Sequence, residues 1–458
     1  MSRSQQTDSA EADAFLQQYP DTQTVDLLLC DANGIFRGKR VQADSLSKIY
    51  SSGVLLAKSL FAQDITGRTA ESAGIGFETG DMDCVCMPLP GTLCRTPWHD
   101  RPGAQTLLRM YDAQGNPYAG DPQSVLDAVL ERFSETGLTP VVAIELEFYL
   151  IDRHRTADNR PQLPISPVTG EREHHISVYA ITDLDDYGDL LGEMGDAADV
   201  QGIPADTAVA EASPGQFEIN LHHQDDARLA CQHALMLKRL IKGVAQKSGL
   251  EATFMPKPFP DIAGNGTHVH VSLLDEAGNN VFALGEQPVN ETLKNAIGGL
   301  AETMHECMLL FAPNANSYRR FVAEWFVPLT PTWGLNNRTV ALRVPGGDTA
   351  ARRIEHRLAG ADVNPFLLTA AVLAGMHHGI TKKLQPGPIT RGNAYEQHAP
   401  SLPITWESTL KAFEQAQIIP DYLGEEFCRV YSAIKREEYD LFNLQITPLE
   451  YDWYLRSS

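Results

Sequence analysis

Ala143-Ile-Glu-Leu-Glu-Phe-Tyr149 alternates charged and apolar residues. In a strand, successive side chains point to opposite faces, so Glu145 and Glu147 share one face while Ile144, Leu146 and Phe148 share the other. Two carboxylates are thereby held side by side on an apolar backing. Thr267-His-Val-His-Val-Ser-Leu273 repeats the pattern, with His268, His270 and Ser272 on one face and Val269, Val271 and Leu273 on the other. Arg353-Ile-Glu-His-Arg357 aligns Arg353, Glu355 and Arg357 along one side of an extended segment. Between the first two stretches lies Glu211-Ala-Ser-Pro-Gly-Gln-Phe-Glu-Ile-Asn220. Its Ser-Pro-Gly turn lets Glu211 and Glu218 approach each other from the two arms of a hairpin.

Taken singly, each pattern is also that of an antiparallel strand with one solvated face. The residue types tip the balance, because polar faces built of Glu, His and Arg are what hard divalent cations and phosphates require. Mg²⁺ and Mn²⁺ prefer carboxylate oxygen with an occasional imidazole, and Arg forks match carboxylate and phosphate geometry. No G-x-x-x-x-G-K-S/T loop occurs, and Gly74-x-Gly76 lacks the helix of a dinucleotide fingerprint, so a nucleotide must be held another way.

Around these segments the chain divides in two. From Thr24 to about Asp112, short apolar runs such as Val25–Cys30 and Val85–Leu89 alternate with turn signals, which predicts a small strand-rich unit. The turn-rich Gly115–Pro122 segment marks the junction, and Asp121-Pro122 is an N-cap and first-turn pair for a helix ending near Gly137. Beyond it, strands at 141–151 and 267–274 interleave with helices at 186–200, 226–248 and 290–310. A polar, Pro-bearing excursion at 152–175 is expected on the surface, at the rim of a site. No solenoid-period repeat is present. The expected boundaries are 1–115 and 116–458.

Bulk properties narrow the function class. The chain has 458 residues, 43% of them hydrophobic, and a formal net charge of -22, which argues against a nucleic-acid or anionic-membrane partner and is compatible with a cationic substrate. Met1–Asp13 is polar and lacks the apolar core of a secretory signal. The seven scattered cysteines fit reduced thiols, so a cytoplasmic location is expected. Val363–Met376, the most apolar stretch, is shorter than a membrane span and is expected to be a buried helix.

In order along the chain, Glu-x-Glu-Phe at Glu145, the Glu211–Asn220 hairpin, Lys257-Pro, Gly264-Asn-Gly-Thr-His268, Asn316-Ser-Tyr-Arg-Arg320, Asn337-Arg-Thr-Val-Ala-Leu-Arg343 and Arg353-Ile-Glu-His-Arg357 resemble the signature regions of glutamine synthetases. The resemblance extends from about Val25 to the C-terminal region. It implies an α+β architecture, the glutamine synthetase fold: a small N-terminal β-grasp domain and a large catalytic domain with a curved antiparallel sheet flanked by helices. It also implies two metal sites. Glu147, Glu211 and Glu218 resemble the ligands on the glutamate and amine side, and Glu145, His268 and Glu355 those on the ATP phosphates, with Mg²⁺ or Mn²⁺ as the ion. Arg338, Arg343 and Arg353 resemble phosphate-binding arginines, and His270 and Ser272 nucleotide contacts. Arg320 and Arg357 resemble residues that hold glutamate, and Gly264, Asn265 and Gly266 the loop that receives its amino end. Among these, Glu211, Arg320 and Arg338 are the candidate catalytic residues. The implied assembly is a dodecamer of two stacked hexameric rings, with active sites shared between neighbours.

Two departures bear on the amine. The Asp-Gly-Ser-Ser segment of ammonia-using members has no counterpart, the corresponding region reading Ala57-Lys-Ser-Leu-Phe-Ala-Gln-Asp64. Their flap glutamate falls at Phe326, within Glu324-Trp-Phe-Val-Pro328. An aromatic in place of a charge suits an alkyl-bearing amine better than ammonium. The Ile354–Phe366 region is similar to bacterial γ-glutamylpolyamine synthetases, which implies L-glutamate and a polyamine as substrates. Tyr179, Trp325, Phe326 and Trp333 are candidates to line the alkyl chain, each with a core role as the alternative. An ammonia-using synthetase, a monoamine ligase and a non-catalytic homologue remain as other readings. Tyr395 lies in a loop resembling the adenylylation loop of bacterial members.

Overall fold

Val25–Cys30 is apolar almost throughout, and β1 (Thr24–Cys30) is buried at nearly every position, as befits a strand with no solvated face. A computed structural model describes residues 9–285 and 289–457 of the protein. β1 pairs antiparallel with β2 (Phe36–Gln42) and parallel with β6 (Gly103–Tyr111). β3 (Val54–Ala57) and β4 (Asp83–Pro88) complete the sheet order β2-β1-β6-β4-β3, while the short β5 (Cys94–Arg95) pairs with β6. The β1–β2 turn is set by Asp31, whose Oδ1 accepts from the Asn33 and Ile35 amides at 2.9 Å each.

A second sheet carries the alternating segments of the sequence. Its order is β12-β13-β14-β11-β7-β9-β8, with β10 also paired to β7. The strands are β7 (Thr139–Asp152), β8 (Ala205–Ala210), β9 (Gln216–Leu221), β10 (Leu250–Thr253), β11 (Thr267–Leu274), β12 (Trp333–Leu335), β13 (Leu342–Val344) and β14 (Ile354–His356). The expectation of a wholly antiparallel sheet needs one correction: β12 and β13 run parallel. Ile144, Leu146 and Phe148 are fully buried, so the apolar face of β7 is core, and the Ala227–Lys247 helix packs on that strand.

The helices start where their caps stand. Asp121, Asp226 and Asn290 each accept a backbone N–H two or three residues on, opening the helices Pro122–Glu135, Ala227–Lys247 and Glu291–Phe311. The helix expected over 186–200 is present as Gly188–Val200, and a separate short helix, Ile181–Asp186, precedes it. Tyr187 stands between them, its buried ring packed edge-on against Phe217, centroids 5.4 Å apart. Pro365–Lys382 is the buried helix read from Val363–Met376, and it packs along Glu291–Phe311. Among the described residues no helix is long and apolar enough to cross a membrane, and all seven cysteines are free thiols.

Candidate active site

Strand register turns separate polar faces into one surface. Glu147 lies directly across from Glu218 between β7 and β9, and Glu145 stands between Asn220 on β9 and His268 on β11. Further along, His270 faces Glu355 on β14, which in turn faces Arg343 on β13. Residues far apart in sequence thus form a row across five adjacent strands.

The contacts within this row are tight. His268 Nδ1 is 3.0 Å from Glu145 Oε2, and His270 Nε2 is 2.8 Å from Glu145 Oε1. Arg353 Nε donates to His270 Nδ1 at 3.0 Å. Glu355, almost wholly buried, accepts from Arg343 at 2.6 Å and from Arg357. Two groups of three offer ligand atoms within 4.8 Å of one another: Glu145, His268 and Glu355, and Glu147, Glu218 and His268. The first is the trio expected on the phosphate side. In the second, His268 stands where Glu211 was expected; Glu211 lines the same cavity but lies outside that close group. Carboxylate oxygens with one imidazole are a donor set that fits Mg²⁺ or Mn²⁺.

Two cavities meet at this row. One, of about 640 Å³, is lined by Glu145, Glu147, Glu211, Glu218, His268, Glu355, Arg320, Arg338, Arg343, Arg357 and Gly264. The other, of about 810 Å³, holds His270, Ser272 and Arg353. Glu145 and Asn220 belong to both. The glycines admit Arg320 to the floor of the first cavity: a Cβ on Gly264 would lie 2.4 Å from the Pro256 carbonyl and 2.8 Å from Arg320 Cγ. The Gly266 amide donates to Glu147 Oε2 at 2.6 Å. Asn265 serves the loop itself, its buried amide donating to the Thr253 and Met255 carbonyls.

The family whose pattern fits this layout is the glutamine synthetase catalytic domain, which matches residues 119–454. The chain belongs to the glutamine synthetase family. The gamma-glutamylputrescine synthetase PuuA of Escherichia coli (strain K12) is 44% identical over 448 residues, covering 98% of this chain and 95% of that protein. The glutamate–isopropylamine ligase of a Pseudomonas species is 31% identical, with 96% of each chain covered. A solved structure of apo GmaS superimposes with a TM-score of 0.83 at 26% identity, covering 97% of this chain and 99% of that one. The molecule therefore has the glutamine synthetase fold.

In this glutamine synthetase-family site the charges are unevenly balanced. Burial opposes ionisation of Glu145, yet hydrogen bonds from His268 and His270 hold its carboxyl well below the usual range. Glu355 is likewise buried, but His268, Arg357, His270 and Arg343 bring it down to about 2. On the other side, burial and the neighbouring carboxylates push Glu211 up to about 7 and Glu218 up to about 10. Glu145 and Glu355 are compensated by neighbouring cations, whereas Arg338 only partly offsets Glu211 and no cation is a leading influence on Glu218.

The four aromatic candidates part company. Phe326 is 58% exposed and lines the first cavity from a left-handed backbone position (φ 56°) that a bulky residue rarely adopts. Tyr179, also left-handed (φ 59°), accepts a hydrogen bond from Arg338 at 2.7 Å and lines the same cavity. Trp325 lines it too, but its ring already carries the Lys257 ammonium 5.1 Å from the centroid. Trp333 does not reach it: the indole is buried in the core on β12 and donates to the Gly387 carbonyl at 2.8 Å. Ile176 and Val178, unremarked in the sequence, join Tyr179 on the cavity wall. Their exposure, over half in each case, follows only from how the chain folds just after the 152–175 excursion, which no periodicity reveals. No residue of the 57–64 segment lines either cavity. The Tyr395 hydroxyl is enclosed and has no hydrogen-bond partner among the described residues.

Proposed function

We propose that the protein is an ATP-dependent ligase that joins the γ-carboxylate of L-glutamate to a polyamine such as putrescine, cadaverine, spermidine or spermine, serving polyamine breakdown in the cytoplasm. The observation that carries the reading is the junction of two cavities at Glu145, one holding the nucleotide-side residues and the other the arginine-lined carboxylates with an aromatic mouth. A carboxylate is a poor electrophile, so its oxygen is first phosphorylated, and an amine then displaces phosphate from γ-glutamyl phosphate. Two divalent cations, held by Glu145, His268 and Glu355 and by Glu147, Glu218 and Glu211, would offset the charge gathered between the anions. Arg320 and Arg357 orient glutamate, with the 264–266 loop receiving its amino end. Arg338, Arg343 and Arg353 stabilise the transferring phosphoryl group through forked donors. His270 and Ser272 contact the nucleotide. Tyr179, Phe326 and Trp325, with Ile176 and Val178, exclude water and pack on the methylenes of the amine.

The likeness to PuuA, whose name specifies putrescine, supports a polyamine over ammonia. The decisive experiment is phosphate release from purified protein, glutamate, ATP and Mg²⁺ across ammonia, putrescine, cadaverine, spermidine, spermine and several monoamines. Turnover with polyamines above that with ammonia is expected; equal or better turnover with ammonia sinks the reading. The proposal includes a dodecamer of two hexameric rings in which the 57–64 segment of one subunit completes its neighbour's site. The absence of that segment from the cavities of its own chain is consistent with sharing. A monomer with full activity in sedimentation and turnover would contradict it.

A further inference from the structure

A cavity of about 940 Å³, apart from the catalytic ones, opens at the seam between the N-terminal sheet and the Ala227–Lys247 helix. Trp98 closes one side. Its indole lies flat on Gly243, where an added Cβ would come within 2.5 Å of the ring. Successive turns of the helix present Lys238, Arg239 and Lys242 to the space. The Lys238 and Lys242 ammonium groups stand 5.4 and 5.5 Å from the centroid of one ring, Phe254. Lys238 donates to the Val363 carbonyl at 3.0 Å. Among the described residues neither lysine forms an ion pair, whereas Arg40 and Arg239 share Asp26, each at 2.6 Å.

This charge balance is unusual for a chain of net charge -22. Two like charges facing one ring repel each other, and Lys238 is held there at a cost to its ammonium form. Asp362 also lines the cavity and attracts Lys238, but it forms no ion pair with it among the described residues, its Oδ2 accepting from Ser317 and Asn314, both at 2.7 Å. Asp100 and Asp362 are the two acidic groups of the lining, against Arg40, Lys238, Arg239, Lys242 and Lys247, so the cavity keeps an excess of positive charge.

We propose that this seam cavity binds a small dianion, a phosphoryl or dicarboxylate group seated between Lys238 and Lys242 with Arg239 at its edge. Burial, with the neighbouring Lys242 ammonium, already depresses the Lys238 amine to about 7, so an anion arriving there relieves a cost the folded chain carries alone. Because the cavity wall is drawn from both sheets' surroundings, occupancy ties the N-terminal sheet to the catalytic part and raises thermal stability by linkage.

The test is calorimetric titration of the assembled full-length protein with inorganic phosphate and, separately, with succinate, against chloride at matched ionic strength. Since phosphate also suits the catalytic arginines, the titrations are repeated in Arg338→Ala. Lys242→Met and Lys238→Met keep the aliphatic stems while removing the charge; Lys242 has an exposed side chain, so its variant is expected to fold and to retain basal turnover. Each lysine variant should weaken one binding event about 10-fold or more, as expected for losing a charged hydrogen bond, while Arg338→Ala leaves that event in place. The tighter of the two probes identifies the group as phosphoryl or carboxylate. Three outcomes overturn the proposal: no binding to the wild-type protein at millimolar concentration, binding lost in Arg338→Ala but kept in Lys242→Met, or unchanged anion binding in Lys242→Met together with a smaller particle in sedimentation. The last would mean that the face meets another copy of the chain.

Discussion

Glu145 is the residue on which both cavities converge, and its two histidine partners keep it ionised. On the proposed function, Glu145→Ala and His268→Ala should abolish phosphoryl transfer, a loss of at least about 100-fold, with the fold retained by circular dichroism, because each would remove a ligand for a cation on the phosphates. Near-normal turnover at limiting Mg²⁺ would remove those assignments. Glu211 and Glu218 behave oppositely, their carboxyls pushed up to about 7 and about 10. A cation needs them deprotonated, so Mn²⁺ binding at pH 7 should release protons, and its affinity should rise as pH increases from 7 towards 10. Titration in two buffers of different ionisation enthalpy reads the proton count directly; none released would show that these carboxylates are not ligands. Phe326→Glu places an ionised group beside the alkyl chain, where desolvation is unfavourable. Polyamine kcat/KM should fall about 10-fold or more, with preference shifting towards ammonia. A monoamine of equal length run in parallel separates this from pairing of the new carboxylate with a distal ammonium, and unchanged ratios among all three amines would mean that Phe326 does not face the amine.

The elements hold the site in place through close backbone contact as much as through side-chain packing. The Glu291–Phe311 and Pro365–Lys382 helices meet at Gly299, Gly375 and Gly379, where a Cβ on Gly379 would lie 2.0 Å from the Asn295 carbonyl and 2.6 Å from the Gly299 amide. Those atoms are backbone and cannot rotate away, so Gly379→Ala forces the helices apart. The expected cost is about 3 kcal/mol, seen as a lower urea midpoint without a change in slope. At this scale the sequence is readable wherever a short-range signal exists. Asp121, Asp226 and Asn290 announce their helices because capping depends only on residues within one turn. The short Ile181–Asp186 helix carries no such signal, its N-cap residue Ala180 making no side-chain hydrogen bond.

Exposed large apolar side chains such as Phe77, Met82 and Val168 are scattered over the described surface, but they gather at the C-terminus. There Leu444, Ile446, Trp453 and Leu455 are more than half exposed, on and beside the short Pro448–Tyr454 helix. A run of large apolar side chains in water is what an assembling surface presents. If the proposed double ring forms, deletion after Asn443 should yield a smaller particle in sedimentation, while the catalytic cavities, which include no residue of that segment, keep their lining. An unchanged particle would show that this segment is not part of the contact.

The alternation of Glu145 and Glu147, of His268, His270 and Ser272, and of Arg353, Glu355 and Arg357 is a property of the sequence, because a period of two survives in any strand and assigns each side chain a face. So were the buried helix at Val363–Met376 and the hairpin between Glu211 and Glu218 legible from local pattern. The pairing of those faces was not. Glu147 meets Glu218, and Glu145 meets His268, only because β9 and β11 take particular registers on β7, which depends on contacts between residues far apart in the chain. The same holds for the aromatics: alternation and composition cannot distinguish Phe326, at the mouth of a cavity, from Trp333, closed into the core by a hydrogen bond to Gly387. Which chemistry the side chains can supply is local, but which of them share a cavity is decided by tertiary packing.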